Sequence, residues 1–228
     1  MPPDLPGSVI TGKTIGGPGQ CFVISKQTKN PELALKFVQF MDSKDEMLNF
    51  LIIRYHGASD VTAYNISYRY FSIAMMFWGI LTTPLWTAST DAFARNDIGW
   101  IRESLKKYKK LLVLAFAGLG VLLALSPLAY RILSHGTVEV PAATSFWVMA
   151  YSAVMMVGTL YVNVVNGSGR LRIQTISSLI SPFVFIGLCA LFIHIGTGVH
   201  GIVIAALVSN FNGYLLAPLQ CRHMLKQN

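Results

Sequence analysis

From about Val61 onward the chain is a succession of long apolar segments separated by short polar turns, a pattern that leaves few folds open. Crossing roughly 30 Å of hydrocarbon takes about 20 consecutive helical residues, because without water every backbone N–H and C=O must find its partner within the segment. The segments predict helices near 61–90, 109–133, 143–165, 172–194 and 200–221. The expected fold class is therefore an all-α polytopic membrane protein with about five transmembrane helices. Composition agrees, with 53% hydrophobic residues against 12% charged and a mean hydropathy of +0.52. The stretch 47–55 is apolar but too short to cross alone, and reads as the tail of a further span.

Charge gives the expected topology. The chain carries a net charge of +8, yet residues 1–46 balance Lys13, Lys26, Lys29, Lys36 and Lys44 against Asp4, Glu32, Asp42, Asp45 and Glu46. The whole excess lies among the apolar segments, where it meets lipid headgroups rather than nucleic acid. Arg95, Arg102, Lys106, Lys107, Lys109 and Lys110 stand between the first two spans. Arg170 and Arg172 stand between the third and fourth, and Arg222 and Lys226 close the chain. The alternate loops, 57–60, 134–141 and 195–199, hold no Lys or Arg. Cytoplasmic loops carry the Lys/Arg excess, so this alternation places the N-terminal segment outside.

Residues 1–46 have a different character. Pro and Gly punctuate a loop that leads into Cys21-Phe22-Val23-Ile24-Ser25, a short run of strand character. Asn30-Pro31-Glu32 is a helix start, and Ala34, Phe37, Val38 and Met41 then recur at helical spacing. Ser43 and Glu46 fit a capping box for another helix. The segment reads as an incomplete strand-plus-helix fragment without a core of its own. Its opening shows no signal peptide, lacking a basic start and an apolar run.

Several motifs invite chemistry. Residues 7–14, GSVITGKT, match the phosphate-loop pattern G-x-x-x-x-G-K-[ST], but no buried strand leads in and Gly16-Gly17-Pro18-Gly19 stands where the phosphate-facing helix must begin. A glycine-rich surface loop is the expectation, and no cofactor. Cys21, Cys189 and Cys221 form no CxxC and act as small apolar residues, and the histidines are too dispersed for a metal site. Asn65 and Asn166 open glycosylation-type triplets, one inside a span and one on the inner side. No set of nucleophile, base and orienter emerges, so the chain does not read as an enzyme.

The first span carries one polar stripe: Asn65, Arg69, Ser72, Met76, Gly79, Thr83, Trp86 and Thr90, alternately four and three apart, with Tyr68 beside it. An Arg two turns inside a span is costly to leave in lipid, so it faces a polar cavity, pairs structurally, or snorkels to headgroups. Facing a cavity, it suits phosphate or pyrophosphate, which a planar fork of donors grips. Pro84 implies a kink in the same helix. Asp91 and Arg95 have the spacing of an i,i+4 ion pair at headgroup level, and residues 101–110 form a basic amphipathic stretch suited to anionic lipid.

Residues 49–97, with G-x-x-x-V-x-x-Y-N-x-x-Y-R-Y-F at Gly57 to Phe71 and T-P-L-W-x-A-x-T-D-A at Thr83 to Ala92, closely resemble the middle of polysaccharide and lipopolysaccharide biosynthesis flippases. These are the O-antigen translocases of the multidrug, oligosaccharidyl-lipid and polysaccharide exporter superfamily. The resemblance runs from about 48 to 228 and covers that family's last five spans of twelve. It implies one bundle of a two-bundle exporter in the bacterial cytoplasmic (inner) membrane, whose central cationic cavity opens alternately to either side. The implied cargo is undecaprenyl-pyrophosphate-linked oligosaccharide, with Arg69 at the headgroup and Asn65 and Tyr68 lining the path. The implied partners are membrane lipid, that lipid-linked oligosaccharide and an N-terminal helical bundle. Without that bundle the chain is expected to be inactive, since alternating access needs two.

Residues 7–46 are similar to a different family, the extracellular sugar-binding lipoproteins of ABC importers, through a glycine turn, a strand ending in Ile24-Ser25-Lys26, then Lys29-Asn30-Pro31-Glu32 and a helix ending in Ser43-Lys44-Asp45. The two pieces meet near Glu46 to Asn49, a seam between two genes rather than a hinge. Two other functions compete with the flippase. A membrane-anchored sugar-binding component of an importer needs aromatic stacking residues in a cleft, whereas Phe22, Phe37 and Phe40 read as core. A drug exporter of the same superfamily needs acidic residues for a cation, and the spans hold hardly any.

Overall fold

The computed structural model describes Ile52, residues 58–134 and residues 137–227. The expected N-terminal strand-plus-helix fragment, the phosphate-loop lookalike and the seam lie outside the described residues. Among the described residues there is no strand. Five helices and a bent C-terminal piece follow one another: α1 Ala58–Ala94, α2 Ile98–Leu133, α3 Ala142–Gly167, α4 Arg172–Ile195 and α5 Val199–Ser209. A π turn over Asn212–Leu216 then leads into α6, Ala217–Gln227. α1 to α4 are each long and apolar enough to cross a membrane, and α5 with α6 makes a fifth crossing if taken as one span. The described residues are thus all helical, and the chain is a multi-pass membrane protein.

Short, capped turns keep consecutive helices antiparallel. α1 stops where Asn96 takes a left-handed φ of 58°, with Asp97 N–H donating to the Ala92 carbonyl at 2.8 Å and Asn96 N–H to Phe93 at 3.1 Å. Asp97 then caps α2, its carboxylate accepting from Trp100 N–H at 2.9 Å. α4 ends on Gly196 at φ 77°, where a side chain would be strained.

α3 is the axis of the bundle: 39% of its most apolar window is buried, against 17–22% for the other three long helices. α1 runs parallel to it in close contact. Gly167 permits this approach, since a Cβ there would stand 2.7 Å from the Ser89 Cβ and 3.0 Å from the Thr90 nitrogen. Trp78 Nε1 donates to the Met156 carbonyl at 2.9 Å, and Asn163 Nδ2 to the Thr82 carbonyl at 3.0 Å. Lipid tails are as apolar as side chains, so such close backbone packing and satisfied hydrogen bonds hold the pair together. α2 is tied to α1 by Tyr70 OH donating to the Leu122 carbonyl and Tyr108 OH to the Leu81 carbonyl, both at 3.0 Å. A hydrogen bond of 3.1 Å between Ser67 Oγ and Tyr130 OH adds a third tie. α4 meets α5 along a narrow seam, with Ser181 Oγ donating to the Ser209 carbonyl at 2.7 Å.

Two expected spans differ from what forms. α2 begins at Ile98 instead of near 109, so the basic stretch is the first three turns of a continuous 36-residue helix. Hydropathy stops at the lysines, but Lys, Arg, Glu and Leu are good helix formers and Asp97 starts the helix for them. The expected span 200–221 is broken, with a 40° bend after Ser209. Gly213 there backs onto Gly158 of α3, whose added Cβ would lie 3.0 Å from the Gly213 Cα, and Asn210 Nδ2 reaches the Met155 sulfur.

The α1–α3 contact gives a direct stability test. Gly167→Val should destabilise the folded bundle by about 1–3 kcal/mol, as overpacking does, whereas Gly187→Val, where an added Cβ meets nothing within 4 Å, should be nearly neutral. Equal unfolding midpoints for the two variants in mixed micelles would show that α1 and α3 are not packed as described.

Candidate functional site

The candidate site is the face of α1 that its partners leave uncovered. The helix buries Ser67, Tyr70, Phe71, Trp78, Thr82, Leu85 and Ser89 against α2 and α3. The polar stripe lies on the opposite side. Arg69, Thr83 and Thr90 are exposed, Asn65, Ser72 and Gly79 are partly exposed, and Met76 and Trp86 are 60% and 49% exposed. Arg69 therefore points out of the bundle, not into an enclosed cavity within it. Counting at 1.5 Å per residue, it lies about 16 Å along α1 from Ala58.

The environment of the three expected site residues is unequal. Among the described residues no carboxylate pairs with the Arg69 guanidinium, the two ion pairs being Asp91–Arg95 at 2.6 Å and Glu103–Lys107 at 2.9 Å, both at the surface. Structural pairing of Arg69 with an acid, one of the three expected environments, is thus not found within these helices. Tyr68 stacks on the largely buried Tyr64, ring centroids 5.9 Å apart and 24° between planes, which fixes it on the flank of the stripe. Asn65 sits one turn before Arg69 on the same face, half-buried. Ser72 Oγ donates to the Arg69 carbonyl at 2.7 Å, Thr83 Oγ1 to Gly79 at 2.7 Å and Thr90 Oγ1 to Trp86 at 3.0 Å. These hydroxyls spend their protons on their own helix and offer lone pairs outward.

Two side chains that brace the α1 helix escaped sequence reasoning, Asn163 and Tyr108. Pro84 has no N–H for the Ile80 carbonyl, and the next two carbonyls, Leu81 and Thr82, take Tyr108 from α2 and Asn163 from α3. Donors from two neighbours thus brace α1 at its weakest point. For Asn163 the sequence signal is a polar residue inside a segment otherwise suited to lipid, while Tyr108 lies among lysines and carries no such signal.

Cations converge at one end of the bundle. The Arg102 guanidinium donates to the Leu225 carbonyl, Lys109 lies 6.0 Å from the Tyr161 ring centroid, and Gln220 Nε2 donates to the Arg170 carbonyl at 2.7 Å. These ties bring the α1–α2 turn, the α3–α4 turn and the C-terminal helix together. Among the described residues no three His, Cys, Asp or Glu side chains form a set able to hold a metal ion.

Exposure on α1 is measurable residue by residue. With the native cysteines replaced, Thr83→Cys in detergent should react with a maleimide about tenfold or more faster than Thr82→Cys, because only the former is accessible; similar rates at the two neighbours would reverse the assignment of faces. No protein-family model, no curated protein and no solved structure matches this chain.

Proposed function

We propose that residues from about 48 to 228 form one helical bundle of a transporter that flips undecaprenyl-pyrophosphate-linked oligosaccharide across the bacterial cytoplasmic membrane for surface polysaccharide synthesis. The observation that carries this reading is the outward polar stripe of α1, with the Arg69 guanidinium exposed and no acid beside it among the described residues. A cation at that depth is stable only against water or an anion, and a second bundle facing the stripe would close both into a central path. Arg69 then holds the pyrophosphate through its planar fork, while Asn65 and Tyr68 line the approach.

In this reading the cationic end, with Arg102, Lys109 and Arg170, lies in the cytoplasm, where Lys and Arg accumulate, and residues 1–46 are a sugar-binding-protein-like piece on the outer side. The bundle moves its cargo without covalent chemistry and needs the facing bundle to do so. Export of small cations is less well supported, since Asp91, the acid nearest the stripe, is held by Arg95 at 2.6 Å.

The test places Arg69→Ala and Arg69→Lys in an intact homologous flippase that has the same Tyr-Arg-Tyr-Phe stretch. Losing hydrogen bonds to a charged group costs about 1.5–3 kcal/mol, so Arg69→Ala should lower surface polysaccharide by about tenfold or more, with partial recovery in Arg69→Lys. Polysaccharide at the wild-type level in Arg69→Ala would remove the headgroup role.

A further inference from the structure

Beside the polar stripe, between α1 and α2, runs a lateral groove of about 630 Å³. Its walls include Phe77 and Leu81 on α1 and Leu114 and Val121 on α2; Trp78 and Met156 lie at its base, and no charged side chain lines it. Gly118 also lines it, and a Cβ there would meet nothing within 4 Å. Neither packing within the bundle nor a left-handed backbone requires that glycine, although in a helix interior it costs roughly 1 kcal/mol relative to Ala. The missing side chain keeps the groove open.

The dimensions and the charge at its foot indicate an occupant. The groove runs along α2 from Leu111 to Leu122, about 16 Å at 1.5 Å per residue, close to the roughly 15 Å depth of one leaflet. One turn before Leu111 and Leu114, on the same face, stand Lys107 and Lys110, both exposed. Lys107 shares its charge with Glu103 in a surface pair, and Lys110 has no ion pair among the described residues. An apolar slot one leaflet deep, with ammonium groups at its mouth, matches a single acyl chain below an anionic headgroup.

We propose that the α1–α2 groove is a binding site for a resident anionic phospholipid from the leaflet at the cationic end, one acyl chain lying against Gly118 and the phosphate held by Lys110 and Lys107. The lipid is a structural ligand on the outer flank of α1, separate from any cargo on the Arg69 face.

The test uses the full 228-residue chain, stripped of native lipid in detergent and titrated with phosphatidylglycerol or phosphatidylcholine of identical acyl chains, with bound lipid counted by native mass spectrometry. Phosphatidylglycerol should bind about tenfold more tightly. Gly118→Phe should displace either lipid, and Lys107→Gln with Lys110→Gln, both on the surface and without consequence for folding, should reduce phosphatidylglycerol to the level of phosphatidylcholine. Equal retention of the two lipids, or undiminished phosphatidylglycerol in Gly118→Phe, overturns the proposal. So does preferential capture of a polyprenyl phosphate over phosphatidylglycerol, or loss of the lipid on dimerisation, which would make the groove a cargo site or a contact between copies.

Discussion

The close pairing of α1 with α3 sets the arrangement of everything else. In a bilayer there is no hydrophobic gain from pressing two apolar helices together, so small residues and buried hydrogen bonds decide which faces meet. Gly167 admits Ser89 and Thr90 to backbone distance, and Trp78 and Asn163 find carbonyls across the seam. With that face of α1 committed, the opposite one, from Asn65 to Thr90, must point away from the bundle. α2 then covers only part of the remaining flank, and the slot above Trp78 is what it leaves open.

The hydroxyls of α1 serve two ends. Ser67, Thr82 and Ser89 are buried and lie on the packed face, while Thr83, Thr87 and Thr90 are exposed. Thr82, Thr83, Thr87 and Thr90 each donate to a carbonyl of their own helix. Such back-bonding loosens a helix slightly, and Pro84 removes a backbone donor in the same region. Tyr108 and Asn163 hold α1 to its neighbours there, donating to the Leu81 and Thr82 carbonyls beside the one that Pro84 leaves without an N–H.

Length and apolar character made α1, α3 and α4 legible in the sequence to within a few residues, because a membrane span must be both long and continuous. The stripe on α1 was legible from spacing, but its direction was not: Ser and Thr occupy both faces, and only the partners, Met156 and Gly167 among them, determine which is covered. The early start of α2 was hidden because hydropathy ignores helix propensity in a lysine-rich segment. The break in the last span depends on Gly158, more than fifty residues away, so no local pattern announces it. The same holds for Tyr108 and Asn163, whose partners are the Leu81 and Thr82 carbonyls of another helix, next to the carbonyl that Pro84 leaves without an N–H.

The π turn at Asn212–Leu216 also fixes the rotational phase of the chain's end. Each π hydrogen bond encloses one residue more than an α turn, so α6 emerges rotated by about 100° relative to a straight continuation of α5. That phase presents Ala217, Cys221 and Met224 to the interior and leaves Arg222 at the surface. Deleting a single residue between 212 and 216 would remove the extra residue, restore an even helix and leave Ala217, Cys221 and Met224 on the interior face, whereas the same deletion between 217 and 220 would bring Arg222 round to the place of Cys221. The π turn is therefore where the last span can lose a residue without burying a charge, and the helix just after it, Ala217 to Gln220, is where it cannot.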